Sequence, residues 1–166
     1  MRKKSLIFYF ITLMAFCQCS PVLALSVEQE NVISDHCETI RDSLKTVQKQ
    51  DARARVYLGA YYETILTKFI MPLNVRLVEN SLSSAGLVEN QNDFAKRKKG
   101  FVDDYISYQQ GLEELVLMDC REEPTRFYEK LETVRGKRKV VNQDVLKLRS
   151  LMSAHLKMAK TLESEL

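Results

Sequence analysis

Tryptophan is absent from this 166-residue chain, and it has only three prolines, five glycines and two histidines. Each scarcity excludes something. With so few breakers, scattered rather than clustered, the chain lacks the turn chemistry of an all-β domain, and strand-like alternation is missing throughout. Two histidines leave little material for general-base or nucleophilic catalysis, and the sequence holds no HExxH, P-loop, GxGxxG, CxxC or Ser/His/Asp arrangement. Neither an enzymatic activity nor a cofactor is expected. No late apolar run approaches the ~20 residues that span a bilayer.

The longest apolar stretch is also the earliest. Arg2, Lys3 and Lys4 precede 11 mostly apolar residues, Leu6 to Phe16, and Val22-Leu23-Ala24 places small residues at −3 and −1 of a cleavage site. Residues 1–24 read as a secretory signal peptide and 25–166 as a single helical-bundle domain, soluble and exported. Cys17 and Cys19 sit near this region, but Phe16 and Gln18 precede them where lipid attachment needs a small residue, so plain cleavage is preferred. The excess of 25 basic over 22 acidic residues lies wholly in Arg2, Lys3 and Lys4. The remainder is balanced, so net charge gives no argument for nucleic acid, which is disfavoured as a partner.

Cys37 and Cys120 are the two cysteines beyond the leader, and in an oxidising compartment such a pair forms a disulfide. A metal reading through Asp35, His36, Cys37 and Cys120 lacks a CxxC and a second nearby histidine, so no metal is expected.

Heptad spacing fills the rest. Ile33, Cys37, Ile40, Leu44, Val47, Asp51, Ala54, Leu58, Tyr61 and Ile65 share one helical face. Leu87, Gln91, Phe94, Lys98, Phe101, Tyr105, Tyr108, Leu112 and Leu115 repeat the pattern. Phe127, Leu131, Val134, Arg138, Val141, Val145, Leu148, Met152, His155, Ala159 and Leu162 do so again. Polar breaks at 80–84 and 121–123, with Pro124 suited to a first helical turn, predict three helices over 27–80, 84–120 and 124–162. Short connections make them an antiparallel up-down-up bundle. A straight pair would leave Cys37 and Cys120 about seven residues out of step, roughly 10 Å. A kink at Pro72 is the expected remedy; a break near Gln50-Asp51, giving four helices, is the alternative.

Candidate binding features are few. Lys96, Arg97, Lys98 and Lys99, with Lys147 and Arg149, form a candidate anionic-ligand patch, yet four consecutive helical residues fan over about 300°. Asp103-Asp104 diverge in the same way and supply no cation cage. Tyr57, Tyr61, Tyr62, Tyr105, Tyr108 and Tyr128 read as core or core-edge residues before ligand-stacking ones, and His155 as packed or snorkelling. Residues 28–44 and 111–123 each carry −4, whereas 137–160 carry +6, a polarity suited to a charged partner or head-to-tail association.

From Cys37 onward, about four-fifths of the chain, the sequence resembles a group of small secreted helical proteins of candidate-phylum bacteria with reduced genomes. The resemblance rests on Cys37, Phe101-Val102-Asp103-Asp104-Tyr105-Ile106-Ser107-Tyr108, Cys120, Phe127, Leu131, Arg135 and Val140-Val141-Asn142-Gln143-Asp144. It implies a coiled-coil-like fold and export, and carries no active site. The expected function is that of a non-enzymatic rod making protein–protein contact at the cell envelope or surface, as scaffold, adhesin-like or chaperone-like module. The partner would be an envelope or surface protein, or a second copy. Peripheral binding of an anionic polymer or membrane surface through the basic patch is the alternative.

Overall fold

A computed structural model describes residues 25–82 and 85–164. The leader reading of residues 1–24 and positions 83 and 84 of the polar break lie outside the described residues. Five α-helices and one π-helical segment account for nearly all of the rest, with no strand among the described residues: α1 (Val27–Asp35), α2 (Cys37–Thr64), a π segment (Ile65–Ile70), α3 (Met71–Glu79), α4 (Ala85–Leu117) and α5 (Pro124–Ser164).

Local chemistry sets the ends. Ser26 accepts a hydrogen bond at Oγ from the Gln29 amide at 3.3 Å, and its own amide donates to Gln29 Oε1 at 3.0 Å, a capping box that starts α1. At the end of α3, Ser81 adopts φ 59°, its amide bonds to Val78 and that of Leu82 to the Leu77 carbonyl. This left-handed termination is usually given to glycine. Beyond α4, the Asp119 carboxylate accepts from the Arg121 amide at 2.9 Å and turns the chain, so α4 stops at Leu117 rather than 120. Pro124 then opens α5 at a position where its missing N–H has no helical partner.

The first arm is not the single helix over 27–80 that the spacing predicts. It breaks at His36, where φ −103° and ψ 14° leave the helical region for one residue. No break occurs at Gln50-Asp51, which α2 crosses without interruption. Nor is Pro72 a plain kink. It is the second residue of α3, directly after the π segment, so the helical hydrogen bond it cannot donate is absorbed by a change of winding. The change moves the buried face. The heptad predicts Tyr61, but Tyr62 is buried at 3% exposure while Tyr61 is 40% exposed, and Leu66, Ile70 and Asn74 follow. Steps of four from Leu58 to Asn74 would drift about 40° each on an α-helix, and the extra residue of a π turn returns them to one side.

The core is built chiefly by α4. Phe94, Phe101, Leu112 and Leu115 have 1% exposure or less and meet Phe127, Val134, Val141 and Leu148 of α5. Gly111 permits this approach, since a Cβ there would lie 3.2 Å from Val134 Cγ2. On α5 the buried face includes Asp144 and Leu151 and omits Arg138, which is exposed. α4 also packs on α2, the π segment and α3. Cys37 and Cys120 are joined, with Cα atoms 5.5 Å apart. The out-of-step register closes because the π segment takes up an extra residue and Met118–Cys120, being non-helical, reach further per residue. No helix among the described residues is long and apolar enough to cross a membrane.

Candidate functional site

The first arm and α5 both pack on α4, but between themselves they meet incompletely. Ile33, Ile40, Leu44, Val47, Leu58 and Ile65, the heptad face of the first arm, are only partly buried. What they leave open is an apolar seam interrupted by one polar bridge. At its centre, Asp51 of α2 accepts from Tyr108 Oη at 2.6 Å through its carboxylate and from Tyr105 Oη at 2.8 Å through its backbone carbonyl. Arg138 of α5 reaches the same carboxylate at 3.4 Å. Thus Asp51 and Arg138, which the heptad places as seam residues, form the one hydrogen-bonded link from α2 to α5 among the described residues. Burial first, and then the hydrogen bond to Asp51, pushes the Tyr108 hydroxyl far above its usual range, so it remains a donor at all physiological pH. Tyr108→Phe strands a half-buried carboxylate lone pair and is expected to cost about 1–3 kcal/mol, read as a lower urea midpoint at unchanged slope. A loss under 0.5 kcal/mol would show that water replaces the phenol.

On the disulfide side of this bridge lies a groove of about 610 Å³, walled by Ile33 of α1, Ile40, Leu44 and Val47 of α2, and Phe127 and Leu131 of α5. Glu28 and Arg135 stand on its margins and Tyr128 lines one wall. On the other side lies a second groove of about 480 Å³ between the π segment, α3 and α5, walled by Ile65, Phe69, Ile70, Leu73, Met152 and Leu156. Lys68 and Arg76 flank it, and His155 lines it.

The tyrosines divide accordingly. Tyr62, Tyr105 and Tyr108 are core residues in an edge-to-face chain with Phe94 and Phe101, the Tyr62–Phe101 centroids being 5.4 Å apart. Tyr57 and Tyr61 stack outside it.

The basic patch is not one surface. Lys98 pairs with Glu63, Lys99 with Asp103 at 2.8 Å, and Arg97 with the buried Asp144 at 2.8 Å. Lys96, Arg97 and Lys147 do come together around a shallow cleft with Asp93. Arg149 lies apart, near Tyr62, where its charge opposes the rise that burial imposes on that phenol.

A scan against protein-family models, a search of curated proteins and a search of solved structures each found no match. The site is therefore read from its own chemistry. Among the described residues no cluster of three or more His, Cys, Asp or Glu could hold a metal ion. Three buried side-chain atoms there lack a hydrogen-bond partner: Asn74 Oδ1, Asp144 Oδ2 and His155 Nε2. Sequence reasoning missed Asp144 altogether as a site residue. Its one signal is that it stands three residues after Val141 and four before Leu148, on the face those residues bury.

Proposed function

We propose that this chain is an exported, non-enzymatic helical rod that works by protein–protein contact at the cell envelope or surface, in the manner of the small secreted helical proteins its sequence resembles. In this reading the long helices form an antiparallel up-down-up bundle, and the groove beside the disulfide receives an amphipathic helix of an envelope protein. The observation that carries it is the 610 Å³ groove itself: apolar side chains from three helices converge on one open channel with polar residues at its margins. The Cys37–Cys120 bond supports export, because such bonds persist in oxidising compartments. The alternative, binding of anionic polymers, is weaker, since three of the four cations at 96–99 are engaged in ion pairs.

A photo-crosslinking residue at Ser43, on the groove wall, is expected to yield a discrete adduct with an envelope protein, whereas one at the exposed Asn142 is not. Leu44→Asp should abolish the adduct while circular dichroism stays helical. Equal labelling from both positions, or none from either, would overturn the reading.

A further inference from the structure

His155 sits on α5 at 5% exposure, and its surroundings fix which nitrogen carries the proton. Asn90 of α4 donates from Nδ2 to the Leu151 carbonyl at 3.2 Å, which turns its Oδ1 towards the ring. That oxygen is 3.1 Å from His155 Nδ1 and can only accept, so Nδ1 bears the hydrogen. Nε2 is then a bare lone pair, buried and without a partner, on the ring edge away from Asn90. Burial alone favours this neutral form, holding the imidazole below its ordinary range.

His155 is one of the residues lining the second groove, and that groove has two further properties. Phe69 and Leu156 on its walls remain 61% and 57% exposed, a large apolar area left facing water. Lys68 and Arg76 at its edge have no ion pair among the described residues, unlike Lys98 and Lys99 on α4. Among the described residues no carboxylate lines the groove. An aliphatic body would cover the exposed walls, a hydrogen-bond donor would satisfy Nε2, and an anionic group would be attracted by the two cations. A fatty acid meets both needs when it binds with one proton per carboxylate, taken up from water if it arrives ionised: that proton lies between the carboxylate and Nε2, and Lys68 and Arg76 offset the negative charge left on the carboxylate as the proton moves to the ring. The volume of about 480 Å³ falls within the ~300–1,000 Å³ of small-molecule sites.

We infer that the groove between the π segment, α3 and α5 binds a single-chain carboxylic amphiphile, a long-chain fatty acid, with the acid group hydrogen-bonded to His155 Nε2 and its charge offset by Lys68 and Arg76. This site is separate from the groove at the disulfide end and does not depend on what that groove binds.

Palmitate titrated into the mature chain below its micelle concentration tests this, read by calorimetry and by imidazole ¹⁵N resonances. With two histidines in the chain, His36 and His155, assignment is direct. Binding should move the His155 Nε2 resonance towards its protonated position and leave His36 unmoved. Hexadecanol, which keeps the chain but lacks the charge, and hexadecylphosphocholine, whose head has no O–H or N–H to donate to Nε2, should each bind about tenfold or more weakly. His155→Phe should weaken palmitate by a similar factor. Because it also strands Asn90, the Lys68→Gln/Arg76→Gln double variant, made on the surface, provides a second arm and should lower affinity and its salt dependence together. An absence of palmitate binding overturns the proposal, as does binding that leaves Nε2 unshifted or that hexadecanol matches. Displacement by an amphipathic peptide rather than by any lipid would assign the groove to a protein instead. Ser43 crosslinking measured in the same samples keeps the two sites distinguishable.

Discussion

Replacing Cys37 and Cys120 together by alanine is expected to lower the unfolding free energy by about 4.5 kcal/mol, the value the loop-entropy model gives for an 83-residue separation. Both side chains are buried, at 2% and 0%, so the substitution also opens a small apolar gap, which acts in the same direction. Apart from apolar packing on Phe127 and Leu115, the polar ties at this end are weak among the described residues. Ser34 donates to the Arg121 carbonyl at 3.1 Å, Arg41 to that of Val116 at 3.3 Å, and Thr125 to Glu30. All three are exposed or partly so, and bonds of that kind contribute about 1 kcal/mol or less each. No residue of α1 is buried, and only the single residue His36 separates it from the cystine. Reduction should therefore release α1 before the core of α4 and α5, with fast hydrogen exchange at 27–35 and slow exchange retained at 94–115. Since α1 supplies Ile33 to the first groove, helix docking there should fail under reducing conditions while palmitate binding at the far groove persists. A double alanine variant within 1 kcal/mol of the wild type, or one that loses protection uniformly, would disprove this account.

The features that sequence reasoning reached are those a helix fixes within a few turns. Ile40, Leu44 and Val47 lie on the packed face because 3.5-residue spacing decides it locally, and Pro124 begins a helix because its own ring allows that position. What escaped was set by partners far along the chain. Pro72 announces a lost hydrogen bond, but where the extra residue is placed depends on which face must meet Phe94 and Phe101, and so Tyr62 rather than Tyr61 enters the core. Asp51, Arg138 and His155 stand at apolar positions of the heptads, where a polar residue reads as snorkelling. Their actual roles come from Tyr108, 57 residues from Asp51, and from Asn90, 65 from His155. The two grooves are equally invisible in one dimension. Three amphipathic faces are evident in the sequence, but the incomplete closure of one pair of them is not.

Arg97→Leu should cost about 3 kcal/mol, more than any other single ion-pair deletion in the molecule. Asp144 lies between α5 and α4 at 1% exposure, with Arg97 Nη1 2.8 Å from its Oδ1. Deleting the partner of a buried carboxylate costs about 3–5 kcal/mol, and the lower figure applies because the Arg97 side chain is 46% exposed and partly screened. By contrast, removing Asp103 from the surface pair with Lys99 should change stability by under 1 kcal/mol. Asp144 Oδ2 has no hydrogen-bond partner among the described residues, and the Asp104 carboxyl of α4 lies within hydrogen-bonding reach of the Asp144 side chain. Burial first, and then the hydrogen bond and charge of Asp144, raise Asp104 above its ordinary 3.8, with Asp103 adding to the rise and Arg97 opposing it. A raised acid keeps in the folded state a proton that the unfolded chain has already released. Its stabilising contribution is complete below about 3.8 and is lost as pH climbs through the raised value. Asp104→Asn supplies a permanent amide donor to Asp144, so it should stabilise the protein at pH 7 and remove this pH dependence, whereas Asp103→Asn should leave most of it in place. In Arg97→Leu the slope should steepen, because Asp104 loses the positive charge that opposes its rise. Unfolding curves from pH 4 to 8 decide the matter: a slope unchanged in Asp104→Asn would mean that Asp104 retains no extra proton on folding and that Arg97 alone holds Asp144 in the interior.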